Sequence, residues 1–365
     1  MSTLSVNSIV DTSGGNTVTV NGIPLRQGVL DPENRIINGA FDFWQRGTSF
    51  TTSVYGADRW FSGFSDGTVT QSRQSFGLGD TLGSNNPTYF LRQTVSAQTL
   101  TSAYAIINQR IEGVRSYAGQ TITVLGWARR SSGTGNMVVE FGQNFGTGGT
   151  PSTTVNGFSP TTVTLTESWS PFAVTVTLPS ITGKIIGTNL NDFLSINFWI
   201  SAGSTHNTRT NSLGIQTIGV DLWGIHIKLG THTAAAVNLY KQPELGPELA
   251  RCQRYFSKSY NIDITPGTVS TVGSSMINTG SFTTLTNRYD LVMVKFPQTM
   301  RTMPTVTIYN FMTGTTGTMR AQNAETNLAS VPSDISTAGF SMGLNNQTVA
   351  ATDILRGHYT ADAEL

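Results

Sequence analysis

The sequence predicts an all-β fold, and three observations support that prediction. Threonine is unusually frequent, with 55 residues among 365, and its β-branched side chain prefers strands. Glycine, at 38 residues, supplies the positive-φ positions that tight turns need. Short runs of β-type residues recur along the chain, separated by turn clusters. These features predict, in order, an N-terminal hairpin, an antiparallel β-sandwich (jelly roll), a short linking helix and a C-terminal β-domain.

The N-terminal segment, residues 1–35, contains two short alternating runs on either side of a glycine-rich turn. The runs are LSVNSIV and TVTVNGIPL, and DTSGGN lies between them, which predicts a hairpin. Because a segment this short cannot enclose a core, we expect it to pair with another chain or a neighbouring domain. Its open strand edges suit attachment to a larger assembly. The alternative is a frayed terminus.

Residues 36–232 contain the clearest strand patterns and are predicted to form the jelly roll. Strands at this spacing, without helical periodicity between them, are typical of a sandwich. The runs are TVTQSRQSF (68–76), YFLRQTVS (89–96), YAIINQRIEG (104–113), QTITVLGWARRS (120–131), NMVVEFGQNF (136–145), SPFAVTVTLP (170–179), FLSINFWIS (193–201) and IGVDLWGIHIKLG (218–230). SSGTG and FGTGGTPSTTVNG are interpreted as loops at the sheet ends.

A linker with one short helix, residues 233–256, is predicted to join the jelly roll to a C-terminal β-domain, residues 257–365. In ELGPELARCQRYFSKSY (244–260), apolar side chains recur at spacings of three and four, which indicates one face of a helix. They are Leu245, Leu249, Cys252, Tyr255 and Phe256. Pro247 suits the first helical turn. Beyond the helix the sequence returns to β-type runs such as YDLVMVKFP and PTVTIYNFM.

Composition and charge argue against several classes of protein. A net charge of +1 and a pI near 7.9 give no basic footprint for nucleic acid. Cys252 is the single cysteine, so no internal disulfide can form, and no run of 18 apolar residues predicts a membrane span. The N-terminus shows no signal-peptide pattern, so we expect synthesis in a cytoplasm. Charged residues make up only 12%, which favours a surface that meets sugars or other subunits.

Several stretches resemble the fibre and tail proteins of tailed bacteriophages. IINGAFDFWQRGTSF and YGADRWFSG (36–63) are similar to the opening of many such proteins. ELARCQRYFSKSY, FPQTMRTMPTVTIYN (296–310) and GHYTADAEL (357–365) are similar to their C-terminal part, and MSTLSVNSIVDTSGGN is similar to fibre N-termini. Together these stretches reach nearly end to end and occur in the right order.

This resemblance implies a structural protein of the virion tail, made in the host cytoplasm. It would be a tail fibre or receptor-binding protein that attaches the phage to the host surface through glycans. Its implied partners are two further copies in a homotrimer, baseplate or tail proteins at the N-terminus, and host cell-surface polysaccharide. The alternatives are a head-mounted fibre or decoration spike and, from a different class, a polysaccharide depolymerase. No β-helix period supports the depolymerase.

Residues 36–230 also resemble the calcium-containing jelly-roll carbohydrate-binding modules found beside xylanases and cellulases. The matching stretches are NGAFD, QRIEGVRSYAGQTITVLGWARR, ESWSPFAVTVTLP and GVDLWGIHIKLG. The resemblance implies a structural Ca²⁺ bound by Asp42 and Asp221, with Asn38 and backbone carbonyls completing the oxygen ligands that calcium needs. Ala40 stands where those modules frequently have an acidic residue. The alternative is that the aspartates cap local turns.

Four residues are candidates for binding a sugar ring: Trp60, Phe64, Trp127 and Arg129. Aromatic faces and bidentate guanidinium groups are the chemistry that such recognition uses. The competing and favoured interpretation is core packing, because an alternating strand such as TITVLGWARR must bury one face. The fold by itself does not imply sugar binding.

The sequence contains no recognisable catalytic constellation, so we do not expect an enzyme. Glycosidases usually place two carboxylates at the scissile bond, whereas Glu112, Glu140 and Glu167 are scattered singly among turns and strand ends. No nucleophile elbow, phosphate loop or zinc motif occurs. Cys252 is interpreted as a small core residue. Apart from calcium, no cofactor is expected.

Overall fold

The computed structural model describes residues 19–20, 23–24, 34–278, 289–344 and 353–365, and it confirms the predicted all-β class. Strands β1 (Thr19–Val20) and β2 (Ile23–Pro24) pair in antiparallel fashion inside the run TVTVNGIPL. The hairpin predicted across DTSGGN lies outside the described residues.

Twelve further strands occupy the region predicted as the jelly roll. In chain order they are β3 (Ser49–Phe50), β4 (Val54–Tyr55), β5 (Phe61–Ser65), β6 (Thr68–Ser75), β7 (Tyr89–Ser96), β8 (Tyr104–Glu112), β9 (Thr121–Gly133), β10 (Asn136–Asn144), β11 (Val155–Thr164), β12 (Ser170–Thr177), β13 (Phe193–Ala202) and β14 (Ile218–Leu229). A short helix, α1 (Asn207–Thr210), lies between β13 and β14.

These strands form two six-stranded antiparallel sheets. Sheet I has the order β11-β10-β13-β8-β5-β4, and sheet II has the order β12-β9-β14-β7-β6-β3. Both orders are non-sequential, so the chain crosses repeatedly between the sheets, as expected for a jelly roll.

One continuous apolar core lies between the two sheets. Strand β12 shows how alternating side chains build this core, since Phe172, Val174 and Val176 are buried while the residues between them are not. Sheet I contributes fully buried side chains such as Ile107 and Phe198 to the same core. Burying each such side chain contributes about 1.5–3 kcal/mol before the entropy cost of ordering the chain.

The linking helix, α2 (Leu245–Gln253), is shorter than the apolar spacing alone suggests. Tyr255 lies in the turn that follows, and Phe256 begins strand β15 (Phe256–Lys258), where it pairs with Asp362. Pairing with a distant strand therefore ends the helix before its apolar stripe ends. Cys252 is fully buried, as predicted.

The C-terminal β-domain forms one eight-stranded sheet, sheet III. Its other strands are β16 (Ser275–Asn278), β17 (Tyr289–Lys295), β18 (Thr305–Asn310), β19 (Thr318–Ala321), β20 (Thr326–Ser333), β21 (Gly339–Leu344) and β22 (Ile354–Asp362). The main path is β15-β22-β19-β20-β21-β17, and β16 and β18 also pair with β22. Within the described ranges, no helix is long and apolar enough to span a bilayer.

Strand β11 is the main element that the sequence did not indicate. Its first residues fall in a stretch interpreted as a loop, and it contains Gly157 and Pro160, two residues that normally interrupt strands. The structure accommodates both because β11 is an edge strand and its pairing with β10 is interrupted by register shifts near Phe141.

Candidate functional site

The outer face of sheet II carries five aromatic side chains, which we call the aromatic cluster: Phe76, Phe90, Trp127, Trp169 and Trp223. Phe90, Trp127 and Trp223 lie on β7, β9 and β14 and face away from the sandwich core, because their strand neighbours point into it. Trp127 and Trp223 are directly opposite each other across β9 and β14. Phe76 follows β6, and Trp169 precedes β12.

The aromatic cluster is packed through ring contacts. The rings of Phe76 and Trp169 are stacked with centroids 5.3 Å apart, and Phe90 meets both of them edge-on at 4.9 and 5.3 Å. Phe90 and Trp223 are buried, whereas Phe76, Trp127 and Trp169 are partly exposed. The cluster therefore has a buried base and exposed aromatic surface above it.

An open groove with a volume of about 580 Å³, here called the aromatic groove, lies over this surface. Its lining combines Phe76, Phe90, Trp127 and Trp169 with the residues Ser75, Asp80, Thr81, Leu82, Gly83, Arg129, Glu167 and Ser168. Both its size and its mixture of aromatic and polar side chains are typical of sites for small ligands.

Arg129 is held at the groove by a buried carboxylate. Asp221 is fully buried and binds two arginines: Arg129 Nε donates to Oδ2 at 2.7 Å, and Arg92 donates through Nε at 2.7 Å and Nη2 at 2.9 Å. These bonds with Asp221 raise the pKa of Arg92. The Arg129 guanidinium also lies 4.8 Å from the ring centroid of Trp169. Arg129 is thus a positioned cation beside an aromatic surface.

A second cavity, here called the arginine pocket, adjoins the aromatic groove and has a volume of about 320 Å³. Its lining residues are Arg92, Arg129, Arg130, Ser131, Ser132, Gly133 and Glu167. Arg129 and Glu167 line both cavities, so the two are continuous at those residues.

The structure brings together two of the four residues predicted to bind sugar. Trp127 and Arg129 both line the aromatic groove. Trp60 instead lies in the sandwich core with no exposed surface, and its Nε1 donates to the Asn38 carbonyl at 2.9 Å. Phe64 lies on β5 of sheet I and packs against that core. Neither Trp60 nor Phe64 belongs to the groove.

Sequence reasoning missed Phe76 and Trp169 as groove residues. Phe76 ends the run TVTQSRQSF, and Trp169 stands in the polar turn ESWS. An aromatic residue at the end of a strand lacks a neighbouring side chain on one side that would cover it. The position of Phe76 and Trp169 at strand ends therefore predicts partly exposed rings.

The three residues predicted to bind calcium do not fit a calcium ion in this structure. Both oxygens of Asp221 are occupied by arginines. Asp42 accepts a hydrogen bond from Gln242 Nε2 at 2.8 Å, and burial raises its pKa to about 6 despite that bond. The Asn38 amide donates to the carbonyls of Phe43 and Asp58 and accepts from the Phe43 N–H.

In the described part of the chain, no group of three or more His, Cys, Asp or Glu side chains is placed to hold a metal. Two guanidinium groups already supply the positive charge that calcium would bring to Asp221. The calcium ion that the resemblance implies is tested by a chelation experiment.

Comparison with known proteins gives structural similarities only. No family model and no curated protein matches the chain. A putative sugar-binding protein from Bacteroides thetaiotaomicron is 12% identical, with a TM-score of 0.33 over 54% of this chain and 100% of that one. The enzymatically active domain of tailspike protein 4 from bacteriophage CBA120 is 13% identical, with a TM-score of 0.31 over 54% of this chain and 21% of that one.

The CBM22-1 xylan-binding domain of Xyn10C from Paenibacillus barcinonensis is also similar. It is 10% identical, with a TM-score of 0.28 over 52% of this chain and 99% of that one. The geometry of the aromatic groove, rather than these distant similarities, therefore supports the functional proposal.

Proposed function

We propose that the sandwich binds glycans in the aromatic groove, and that the chain is a tail fibre or receptor-binding protein through which a tailed phage attaches to its host. The observation that carries the proposal is the exposed surface of Trp127 and Trp169 beside the fixed guanidinium of Arg129. Aromatic rings present a flat apolar face to a sugar ring, and arginine donates hydrogen bonds to its oxygens. The polar residues that line the groove supply further hydrogen-bond partners for the hydroxyl groups of the sugar.

The proposed activity is binding without cleavage. Two carboxylates, Asp80 and Glu167, line the groove, which is why a polysaccharide depolymerase is the alternative. Both lie on exposed surface and are already engaged: Asp80 accepts from the Gly77 N–H at 2.7 Å, and Glu167 accepts from Arg130 at 3.2 Å. A glycosidase acid is typically held in an apolar pocket instead.

The remaining parts of the proposal concern assembly. Residues 1–35 would attach the chain to baseplate or tail proteins, and three copies would form the fibre. Exposed apolar side chains on sheet III and its loops support the trimer.

The first prediction is that the groove aromatics determine glycan affinity. Wild-type protein is screened on an array of bacterial surface polysaccharides, and affinity for each hit is measured by calorimetry. Replacing Trp127 or Trp169 by alanine should weaken binding about tenfold, because one ring contact contributes about 0.5–1.5 kcal/mol beyond its buried area. Phe193→Ala is the control, since Phe193 is a partly exposed aromatic residue on sheet I.

Two readouts separate the outcomes. Trp44, Trp60, Trp199 and Trp223 are buried, so ligand in the groove should change the fluorescence of the two remaining tryptophans and protect them from iodide. Purified protein should also compete with the parent phage for adsorption to its host. Equal affinities for wild type and both tryptophan variants would contradict the proposal, and release of shorter oligosaccharides during incubation would favour the depolymerase.

A further inference from the structure

The arginine pocket places three cations at one end of the aromatic groove. Arg92, Arg129 and Arg130 line it together with two serines and a glycine, so small side chains leave the guanidinium groups accessible. The three arginine side chains are each about a quarter exposed, at 26, 28 and 26%. The pocket is therefore a concentrated source of N–H donors open to solvent.

A bulge in β9 brings Arg129 and Arg130 to the same pocket. Consecutive strand residues normally point to opposite faces. In the pairing of β9 with β14, however, Gly219 lies opposite Ser132 and Val220 opposite Arg130, which leaves Ser131 unpaired. Such a bulge redirects neighbouring side chains. The backbone N–H of Arg130 donates to the Thr166 carbonyl at 2.8 Å.

The charges in and behind the pocket do not cancel. Asp221 neutralises one of the three arginines and is fully buried beneath them. Glu167 pairs with Arg130, but its side chain is 83% exposed, and exposed ion pairs of this kind are weak and replaceable. One positive charge is left over at the surface.

Several donor atoms of the pocket have no acceptor among the described residues. Arg129 uses only Nε to bind Asp221, and among the described residues no acceptor bonds its two terminal nitrogens. Arg130 Nε is buried and likewise has no partner there. A buried donor without an acceptor is unfavourable unless a ligand or water supplies one.

Resting on the proposed glycan-binding function, we infer that the ligand carries a carboxylate, as in a polysaccharide containing uronic acid. A sugar in contact with the exposed surface of Trp127 and Trp169 lies next to the guanidinium of Arg129, and a carboxylate on the adjoining residue of the glycan enters the arginine pocket. Arginine and carboxylate match each other as planar, bidentate partners. The ligand carboxylate displaces Glu167 from Arg130, and the net positive charge of the pocket attracts it.

The test compares acidic oligosaccharides with their neutral counterparts. Hexasaccharides of galacturonic, glucuronic and mannuronic acid are each measured beside the carboxyl-reduced form, using the full chain at low ionic strength. At least one acidic member should bind about tenfold more tightly than its reduced form, and the difference should shrink as salt is added. A sulfated neutral hexasaccharide tests whether the carboxylate or charge alone is recognised.

Matched variants assign the effect to the pocket. Arg130→Gln should reduce affinity for the acidic sugar about tenfold and leave affinity for the neutral sugar unchanged. Glu167→Gln should raise affinity for the acidic sugar about threefold, because a competing carboxylate is removed. Trp169→Ala should weaken binding of both sugars. Thermal melts confirm that each variant is folded.

The outcomes are separable. Equal binding of acidic and neutral sugars, a preference for the sulfated sugar, or no effect of Arg130→Gln would overturn the carboxylate inference while leaving the glycan-binding groove intact. No binding to any sugar of the panel or of the polysaccharide array would overturn the proposed function, and the inference with it.

Discussion

Asp221 shows how one buried residue organises the groove. Its carboxylate has no exposed surface, and it fixes Arg92 and Arg129 by three hydrogen bonds of 2.7–2.9 Å. A buried carboxylate is tolerated when cations and donors satisfy it, and removing one partner leaves the others uncompensated. The residue therefore both stabilises sheet II and positions the cation that the proposed ligand meets.

We predict that Asp221→Asn destabilises the protein by about 2 kcal/mol, less than for a fully buried pair because both arginines are partly exposed. Urea unfolding of the full chain measures this change. Glu167→Gln, which removes an exposed carboxylate from Arg130, should change stability by less than about 0.5 kcal/mol. Equal stabilities of Asp221→Asn and wild type would contradict the role assigned to Asp221.

Thermal melts with and without a calcium chelator, on the wild type and on Asp221→Asn, test the calcium prediction. Because arginines occupy both oxygens of Asp221, we expect the melting temperature of the wild type to be unchanged by a calcium chelator. Melting that is sensitive to chelator in the wild type and insensitive in Asp221→Asn would instead establish the ion that the resemblance implied.

The sequence predicts which types of side chain could bind a sugar, but it does not predict which of those side chains are buried. Trp127 lies within a strand and Trp60 directly before one, yet Trp127 lines the groove and Trp60 is buried beside Phe41 and Phe198. Which face of a strand meets the second sheet depends on how the two sheets pack, and a local pattern does not contain that information. Pairs such as Arg92 with Asp221, 129 residues apart, are equally invisible to local spacing.

Among the elements, β15 connects the sandwich to sheet III through a buried lysine. Lys258, on β15, is only 8% exposed, and its Nζ donates to the carbonyls of Gln45, Ile262 and Ile264 at 2.6–2.8 Å. Gln45 belongs to the turn that opens the sandwich, so the ammonium group joins the two units. Burial lowers the pKa of Lys258 from its ordinary 10.5 to about 8.

This lysine gives the protein a predictable pH dependence. Between pH 8 and 10.5 the unfolded chain keeps the proton on Lys258 while the folded protein releases it, so the free energy of unfolding rises with pH through this window. Lys258→Met should be less stable overall, because three hydrogen bonds are lost, but it should lack that rise. Urea unfolding at pH 7.5, 8.5 and 9.5 measures the two slopes, and parallel slopes would count against the assignment.

Strand elements were predictable where one face is apolar and the other polar. The run YFLRQTVS coincides with β7, and TVTQSRQSF exceeds β6 by one residue. The extent of α2 was not predictable, because the pairing of Phe256 with Asp362 connects positions that are far apart in the chain. Strand β11 was not predictable because its place at a sheet edge is what permits Pro160.

At the scale of the whole molecule, the last residues of the chain pack against the sandwich. Glu364 pairs with Arg46 at 3.3 Å and also with Arg59, whose guanidinium lies 3.5 Å from the ring centroid of Tyr255. Arg254 and Glu112 form a further bridge at 2.8 Å. These contacts join sheet III to β8 and to the turns near β3 and β5, and none of the residues involved lines the aromatic groove. The proposed glycan site therefore does not share these contact residues with the C-terminal unit.

Sheet III and its loops expose several large apolar side chains in the described residues. They are Ile262, Val269, Val272, Met276, Met293, Met303 and Met312, with exposed fractions between 36 and 66%. Contiguous exposed apolar surface commonly marks an interface, and Met276 and Met293 lie on strands β16 and β17, which contact each other. Charged residues make up only 12% of the chain and the net charge is +1, so little electrostatic repulsion keeps copies of the chain apart.

We therefore predict a homotrimer held together through sheet III. Light scattering of the purified chain should give three times 39.2 kDa, and the double substitution Met276→Glu with Met293→Glu should give the single mass, because apposed carboxylates in an apolar interface are poorly solvated and repel. Ile185→Glu, at a side chain equally exposed on the sandwich, should remain trimeric. Since the groove lies on sheet II, the monomeric variant should bind glycan with unchanged affinity per chain but lose the added avidity of three linked sites. A wild type that is monomeric at micromolar concentration would contradict the trimer, and a trimer unaffected by the double substitution would move its interface away from β16 and β17.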